Sequence, residues 1–158
     1  VNNLVDSIGF PAFPSKVDTK AQGIEVGLDY QIFKGVKAYM NYTWLDAIID
    51  KGLYFGGFAG SPGDRLPRRP EHTASGGIVY NNEKWKIGAE IVGASNRLDS
   101  PGFVLEDYST LRTYGSFKWR PNVEIHARVE NVLDENFKST RGYSAPGTGI
   151  YAGLKINF

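Results

Sequence analysis

From Ile24 to Ile32 every second residue is apolar. Ile24, Val26, Leu28, Tyr30 and Ile32 alternate with Glu25, Gly27, Asp29 and Gln31. Only an extended strand sends successive side chains to opposite faces, so this stretch must fold with one greasy face and one polar face. After Phe33-Lys34-Gly35 the pattern resumes, with Val36, Ala38, Met40, Tyr42 and Trp44 set against Lys37, Tyr39, Asn41 and Thr43. It returns over His72–Tyr80, Trp85–Ile91, Leu111–Trp119, Val123–Val129 and Ile150–Phe158, giving seven predicted strands, with Val1 to Ile8 read as the end of an eighth. No apolar stripe at helical spacing lasts beyond one turn. The predicted class is therefore all-β and antiparallel.

The connections follow a rule of their own. Phe33–Gly35, Asn81–Glu83 and Arg120–Asn122 are tight turns. Between them lie long segments, Gly9 to Asp18, Asp50 to Pro67, Asn96 to Asp107 and Leu133 to Gly147. Short and long connections alternate, as in a transmembrane β-barrel meander with turns at one rim and loops at the other. A soluble sandwich has Greek-key crossings instead. No run approaches the roughly 18 apolar residues of a membrane helix, but that test does not see a strand with one face in lipid. On this topology Lys34, Asn82 and Pro121 face the periplasm, the loops around Phe58, Pro101 and Ala145 face outward, and the C-terminus is periplasmic. The start at Val1-Asn2-Asn3-Leu4, without Met or a leader, reads as a processed chain or a fragment.

Aromatic placement points the same way. Tyr30, Tyr80, Trp85, Phe117 and Trp119 lie on greasy faces close to short turns, and Phe158 ends the chain. Tyr42 and Trp44 lie near a long-loop end. Rings at both edges of an apolar band are selected by a bilayer interface, whereas a soluble core places its largest rings mid-strand. The mid-strand greasy positions here include Val26, Leu28, Ala38, Ile87, Ala89 and Ala127. The opposite face holds Glu25, Asp29, Lys84, Lys86, Glu90, Arg112, Lys118, Glu124, Arg128, Glu130 and Lys155. Seven or eight strands close only a narrow barrel filled by side chains, and a wide lumen houses this charge more easily. The reading favoured is a segment of a large barrel; the alternative is a complete small barrel serving as an anchor or adhesin. Alternation also predicts that arginine is costly at Leu28 or Ile87 and cheap at Asp29 or Gly88.

Three blocks carry a family resemblance. Lys20-Ala21-Gln22-Gly23-Ile24-Glu25-Val26 resembles a strand opening of TonB-dependent outer-membrane receptors. Leu66-Pro67-Arg68-Arg69-Pro70-Glu71-His72-Thr73-Ala74 resembles another. Arg128-Val129-Glu130-Asn131-Val132-Leu133-Asp134-Glu135-Asn136-Phe137, then Gly142-Tyr143-Ser144-Ala145-Pro146-Gly147 and a last strand ending on Phe158, resembles their closing segment. The resemblance implies that residues 1–158 are the C-terminal portion of a barrel of about 22 strands, without a counterpart to the plug domain. It further implies uptake of a scarce nutrient, an iron chelate (siderophore) or cobalamin, across the Gram-negative outer membrane. The implied partners are outer-membrane lipid and lipopolysaccharide, the remaining barrel strands and plug, TonB acting through that plug, the barrel-assembly machinery and a small-molecule substrate. Ile150, Ala152, Leu154, Ile156 and Phe158 match the assembly signal of such proteins.

Other chemistry finds little support. The net charge of +1 gives no case for nucleic acid. The absence of Cys excludes disulfides and thiolate metal sites. His72 and His126 lack a nucleophile-and-base neighbourhood, there is no nucleophile elbow, and neither a P-loop nor a dinucleotide fingerprint occurs. An enzyme of the outer-membrane lipase type is thus the least supported reading, and no cofactor or metal is expected. Asp46 and Asp50 lack EF-hand spacing and read as solvated carboxylates. Two features remain as candidate ligand contacts. The aromatic loop tip with Tyr54, Phe55 and Phe58 suits capture of a planar or amphipathic substrate. Arg65, with Arg68 and Arg69, suits an anionic ligand or lipopolysaccharide phosphate, or else interface anchoring and strand capping.

Overall fold

The computed structural model describes residues 4–8, 13–51, 61–100 and 102–158, with the side chains of 4–8 and 13–17 left aside. The described residues form twelve strands: β1 (Leu4–Ile8), β2 (Phe13–Phe33), β3 (Val36–Lys51), β4 (His72–Asn81), β5 (Trp85–Ser95), β6 (Arg97–Ser100), β7 (Phe103–Leu105), β8 (Tyr108–Arg120), β9 (Val123–Glu130), β10 (Lys138–Thr140), β11 (Tyr143–Ser144) and β12 (Gly149–Ile156). Eight form one antiparallel sheet in the order β1-β2-β3-β4-β5-β8-β9-β12. Each strand of this sheet pairs with the sheet strands before and after it in chain order, β5 with β8 and β9 with β12 across the small β6–β7 and β10–β11 hairpins, the meander that the alternation predicts. No helix among the described residues is long and apolar enough to cross a membrane.

The sheet is a single layer. Its buried apolar residues among those described are Val36, Ala47, Ile49, Ala94 and Leu105. The alternating apolar face is uncovered: Leu28 is 57% exposed, Tyr30 69% and Leu154 64%. A folded soluble monomer of 17.5 kDa exposes about 7,900 Å² by mass scaling, yet this chain exposes 10928 Å². The excess comes from a sheet uncovered on both sides, and its greasy side needs an apolar surrounding other than water.

Strand lengths separate a spanning part from a protruding part. β2 has 21 residues and β3 has 16, whereas a membrane strand needs about 9–11. The surplus lies at the long-loop end, where Lys20 Nζ bridges Asp50 Oδ1 at 2.6 Å and Gln22 Nε2 donates to Asp46 Oδ2 at 3.1 Å.

Three predicted features need correction. Gly9 to Asp18 is not a long loop, because residues 13–17 pair with β1 from Leu4↔Val17 to Ile8↔Phe13. Pro14 sits where β2 has a neighbour on one side only, and such edges tolerate a missing N–H. The segments Asn96–Asp107 and Leu133–Gly147 each contain a hairpin, β6–β7 and β10–β11. The last strand stops at Ile156, and Asn157 N instead donates to Asn122 O at 3.0 Å across the neighbouring turn.

Candidate functional site

The polar face carries a row of groups that crosses four strands. Register aligns Tyr39 (β3), Gly77 (β4), Glu90 (β5) and Arg112 (β8). The gap at Gly77 lets the Tyr39 hydroxyl reach over β4 and donate to Glu90 Oε2. Glu90 Oε1 in turn pairs with Arg112 Nη2 at 2.9 Å. A Cβ at Gly77 would stand 2.7 Å from the Tyr39 hydroxyl oxygen, so the glycine is required for that reach.

The next row repeats the device. Tyr114 lies over Gly88 on the paired strand, where a Cβ would fall 2.4 Å from the ring, and Arg112 and Lys86 stand 5.6 and 5.9 Å from its centroid. His126 lies likewise over Gly153. Gly88 is therefore not the permissive position that alternation alone predicts: its space belongs to Tyr114.

At the long-loop end the connections are tied to one another. Arg65 Nη1 pairs with Glu71 Oε2 at 3.3 Å, and its Nη2 donates to Asn96 O at 3.2 Å. Glu71 also accepts from Trp44 Nε1 at 3.3 Å and Asn96 Nδ2 at 3.0 Å. These donors, the Trp44 indole first and then the Arg65 charge and the Asn96 amide, hold the Glu71 carboxyl below its usual range against the opposing effect of burial.

A second tie is centred on Arg97, only 8% exposed. Its guanidinium donates to the carbonyls of Glu106, Lys138 and Ser139 at 3.0, 2.9 and 3.2 Å. It lies 4.6 Å from the Tyr108 ring centroid, and that ring stacks on Phe137 at 4.0 Å. The closing segment builds its own turn. Asn131 Nδ2 donates to Glu135 O and Pro146 O, while Asp134 Oδ1 accepts from Thr148 N at 3.0 Å. Both residues adopt positive φ, 49° and 52°, which Asn and Asp tolerate better than most. Sequence reasoning named these motif residues without their roles.

The predicted site residues are therefore spread out. Arg65 is part of the loop tie. Tyr54, Phe55 and Phe58 lie outside the described residues, as does Pro101. Tyr30, Tyr80, Trp85, Phe117 and Trp119 gather at the short-turn end, with Trp85 stacked on Phe117 at 4.3 Å. Tyr42 and Trp44 stand at the other end, where the Tyr42 hydroxyl meets His72 Nδ1 at 2.8 Å. Ile150, Ala152, Leu154 and Ile156 follow β12, and Phe158 lies beyond it. Among the described residues no cluster of acidic or histidine side chains could hold a metal ion.

A profile of the TonB dependent receptor-like β-barrel matches residues 1–132. The chain belongs to the TonB-dependent receptor family. Its uncovered greasy face is thus the lipid face of an outer-membrane barrel, and its polar face lines the lumen. The chain is 29% identical over 105 residues to the vitamin B12 transporter BtuB of Vibrio cholerae serotype O1, covering 62% of this chain and 17% of that protein. The solved copper transporter OprC superposes with a TM-score of 0.76 at 17% identity, over 96% of this chain and 26% of that one. The ferric yersiniabactin uptake receptor FyuA from Yersinia pestis superposes with a TM-score of 0.74 at 16% identity, over 91% of this chain and 24% of that one. The chain thus spans about a sixth to a quarter of the length of these proteins, which are two transporters and an uptake receptor.

Proposed function

We infer that this chain is the C-terminal portion of the barrel of a receptor that imports a scarce nutrient, an iron chelate (siderophore) or cobalamin, across the outer membrane. The observation that carries this reading is the charged, tyrosine-rich lumen face on a family barrel sheet. Its Glu90–Arg112 pair and its Lys86, Arg128 and Lys155 positions suit a wide, wet passage better than the filled interior of a small barrel. The sheet order supports a segment, since β1 and β12 are its two edges and are not paired with each other. A vitamin B12 transporter and a ferric yersiniabactin receptor among the similar proteins support the substrate class.

In this reading the short turns and the C-terminus face the periplasm, and the long connections face outward. Tyr30, Tyr80, Trp85, Phe117 and Trp119 mark the inner interface, while Tyr42 and Trp44 mark the outer one. Tyr54, Phe55, Phe58 and Arg65 contact ligand. The remaining strands and a plug complete the receptor, and TonB acts through that plug. The β12 edge, with Ile150, Ala152, Leu154, Ile156 and Phe158, is offered to the barrel-assembly machinery, because its unpaired N–H and C=O groups can pair with a partner edge. Deleting Tyr54 to Gly60 in the complete receptor should abolish uptake of labelled siderophore or cobalamin while the barrel still assembles. Unchanged uptake of both would refute the assignment of ligand capture to this loop.

A further inference from the structure

Arg68, Arg69 and Arg97 line a cavity of about 210 Å³ at the long-loop end, together with Pro70, Leu98, Asp99, Leu105, Ser139 and Thr140. It sits where the β3–β4 connection, the β6–β7 hairpin and the β10–β11 hairpin meet.

Three guanidinium groups face one carboxylate here. Asp99 is already engaged: its Oδ1 accepts from Thr140 Oγ1 at 2.5 Å and lies 3.5 Å from Arg68 Nε. Arg97 is buried and satisfied by carbonyls, yet among the described residues no carboxylate is paired with it. A buried cation without a counter-charge is costly, so this wall favours an anion. Arg69 reaches only the carbonyl of Arg68, at 3.4 Å, and has no acidic partner among the described residues. Arg68 holds a φ of 60°, uncommon for a side chain of its size, and its N–H donates to Leu98 O at 2.6 Å. That backbone bond fixes the two successive arginines against the β6–β7 hairpin and beside Ser139 and Thr140, whose hydroxyls already donate to Tyr143 O and Asp99 Oδ1 and so shape the wall rather than supply donors. Backbone held in such a sparsely populated region clusters at ligand-binding sites.

We propose that this cavity binds a phosphate-type oxyanion, gripped by the Arg69 and Arg68 guanidinium groups against the Ser139–Thr140 wall. Planar guanidinium forks match a tetrahedral oxyanion through paired N–H donors. The cavity has room for a phosphate with part of an attached sugar. Such an anion could come from a lipid headgroup in the outer leaflet or from solution. The proposal stands or falls independently of which nutrient the receptor carries.

The test uses the complete receptor purified from outer membranes and stripped of lipopolysaccharide. Two probes are titrated by calorimetry: inorganic phosphate, and vesicles carrying diphosphoryl lipid A with dephosphorylated lipid A as control. Saturable binding of phosphate supports a soluble anion, and binding of the diphosphoryl vesicles alone supports a lipid-borne one. In either case R69Q should weaken binding about tenfold or more, with R69K intermediate, because lysine keeps the charge and loses the fork. Heat-modifiable migration on gels reports that each variant is folded. If R69Q does not assemble, the R69K comparison carries the test. No saturable binding of either probe, or binding equal in wild type and the Arg69 variants, overturns the proposal.

Discussion

Leu28 and Asp29 are neighbours in β2 that face opposite surroundings. Leu28 pairs with Met40, between the Tyr30 level two residues away and the Trp44 level four residues away at Ile24, and it is exposed on the greasy face. Asp29 pairs with Tyr39 on the lumen face. Arginine at a barrel's lipid-facing midplane costs about 2–4 kcal/mol, which is roughly a 30- to 900-fold loss in the folding equilibrium constant. Leu28→Arg should show that loss. Asp29→Arg exchanges one solvated lumen charge for another and should cost less than about 1 kcal/mol. The assay is equilibrium refolding of the complete barrel from urea into phosphatidylcholine vesicles. Tryptophan fluorescence reports it, since Trp44, Trp85 and Trp119 all stand near the ends of the spanning segments. Equal destabilisation by the two variants, or a larger effect at Asp29, would refute the assignment of faces.

Two further outcomes follow from the loops and the lumen. Gly88→Ala should destabilise by about 1–3 kcal/mol through crowding, because its new methyl meets the Tyr114 ring; in a Tyr114→Ala background the same change should become neutral or stabilising in the same refolding assay. The depressed Glu71 carboxyl makes the Trp44–Arg65–Asn96 tie fully present above the ordinary carboxyl value of 4.5 and lost as pH falls below it through the lowered folded value. Protease cleavage of the β3–β4 connection should therefore rise only below that pH, and Glu71→Gln should remove the pH dependence; a rise already at pH 6 would count against the tie.

The sheet was legible because lipid on one side and lumen on the other write themselves into alternate residues. Ile24 to Ile32 needs no tertiary information to be read as a strand. The β6–β7 and β10–β11 hairpins were hidden because runs of two to four residues carry no period. Arg65, Arg68 and Arg69 were visible as a charge cluster, but Arg97 was not, because its role depends on contacts such as that with Ser139, 42 residues apart. The same holds for Tyr39 and Glu90, whose link needs a register and a glycine on the intervening strand.

The loop ties also bear on how such a receptor can diversify. Arg65, Glu71, Asn96 and Arg97 bind the bases of three connections into one piece. A length change at any of these bases would displace the other two, so drift there has to be concerted. The Ile48↔Arg65 bridge adds a further tie, joining β3 to the described end of the β3–β4 connection. Descendants of this chain should therefore change these tied residues together rather than one at a time.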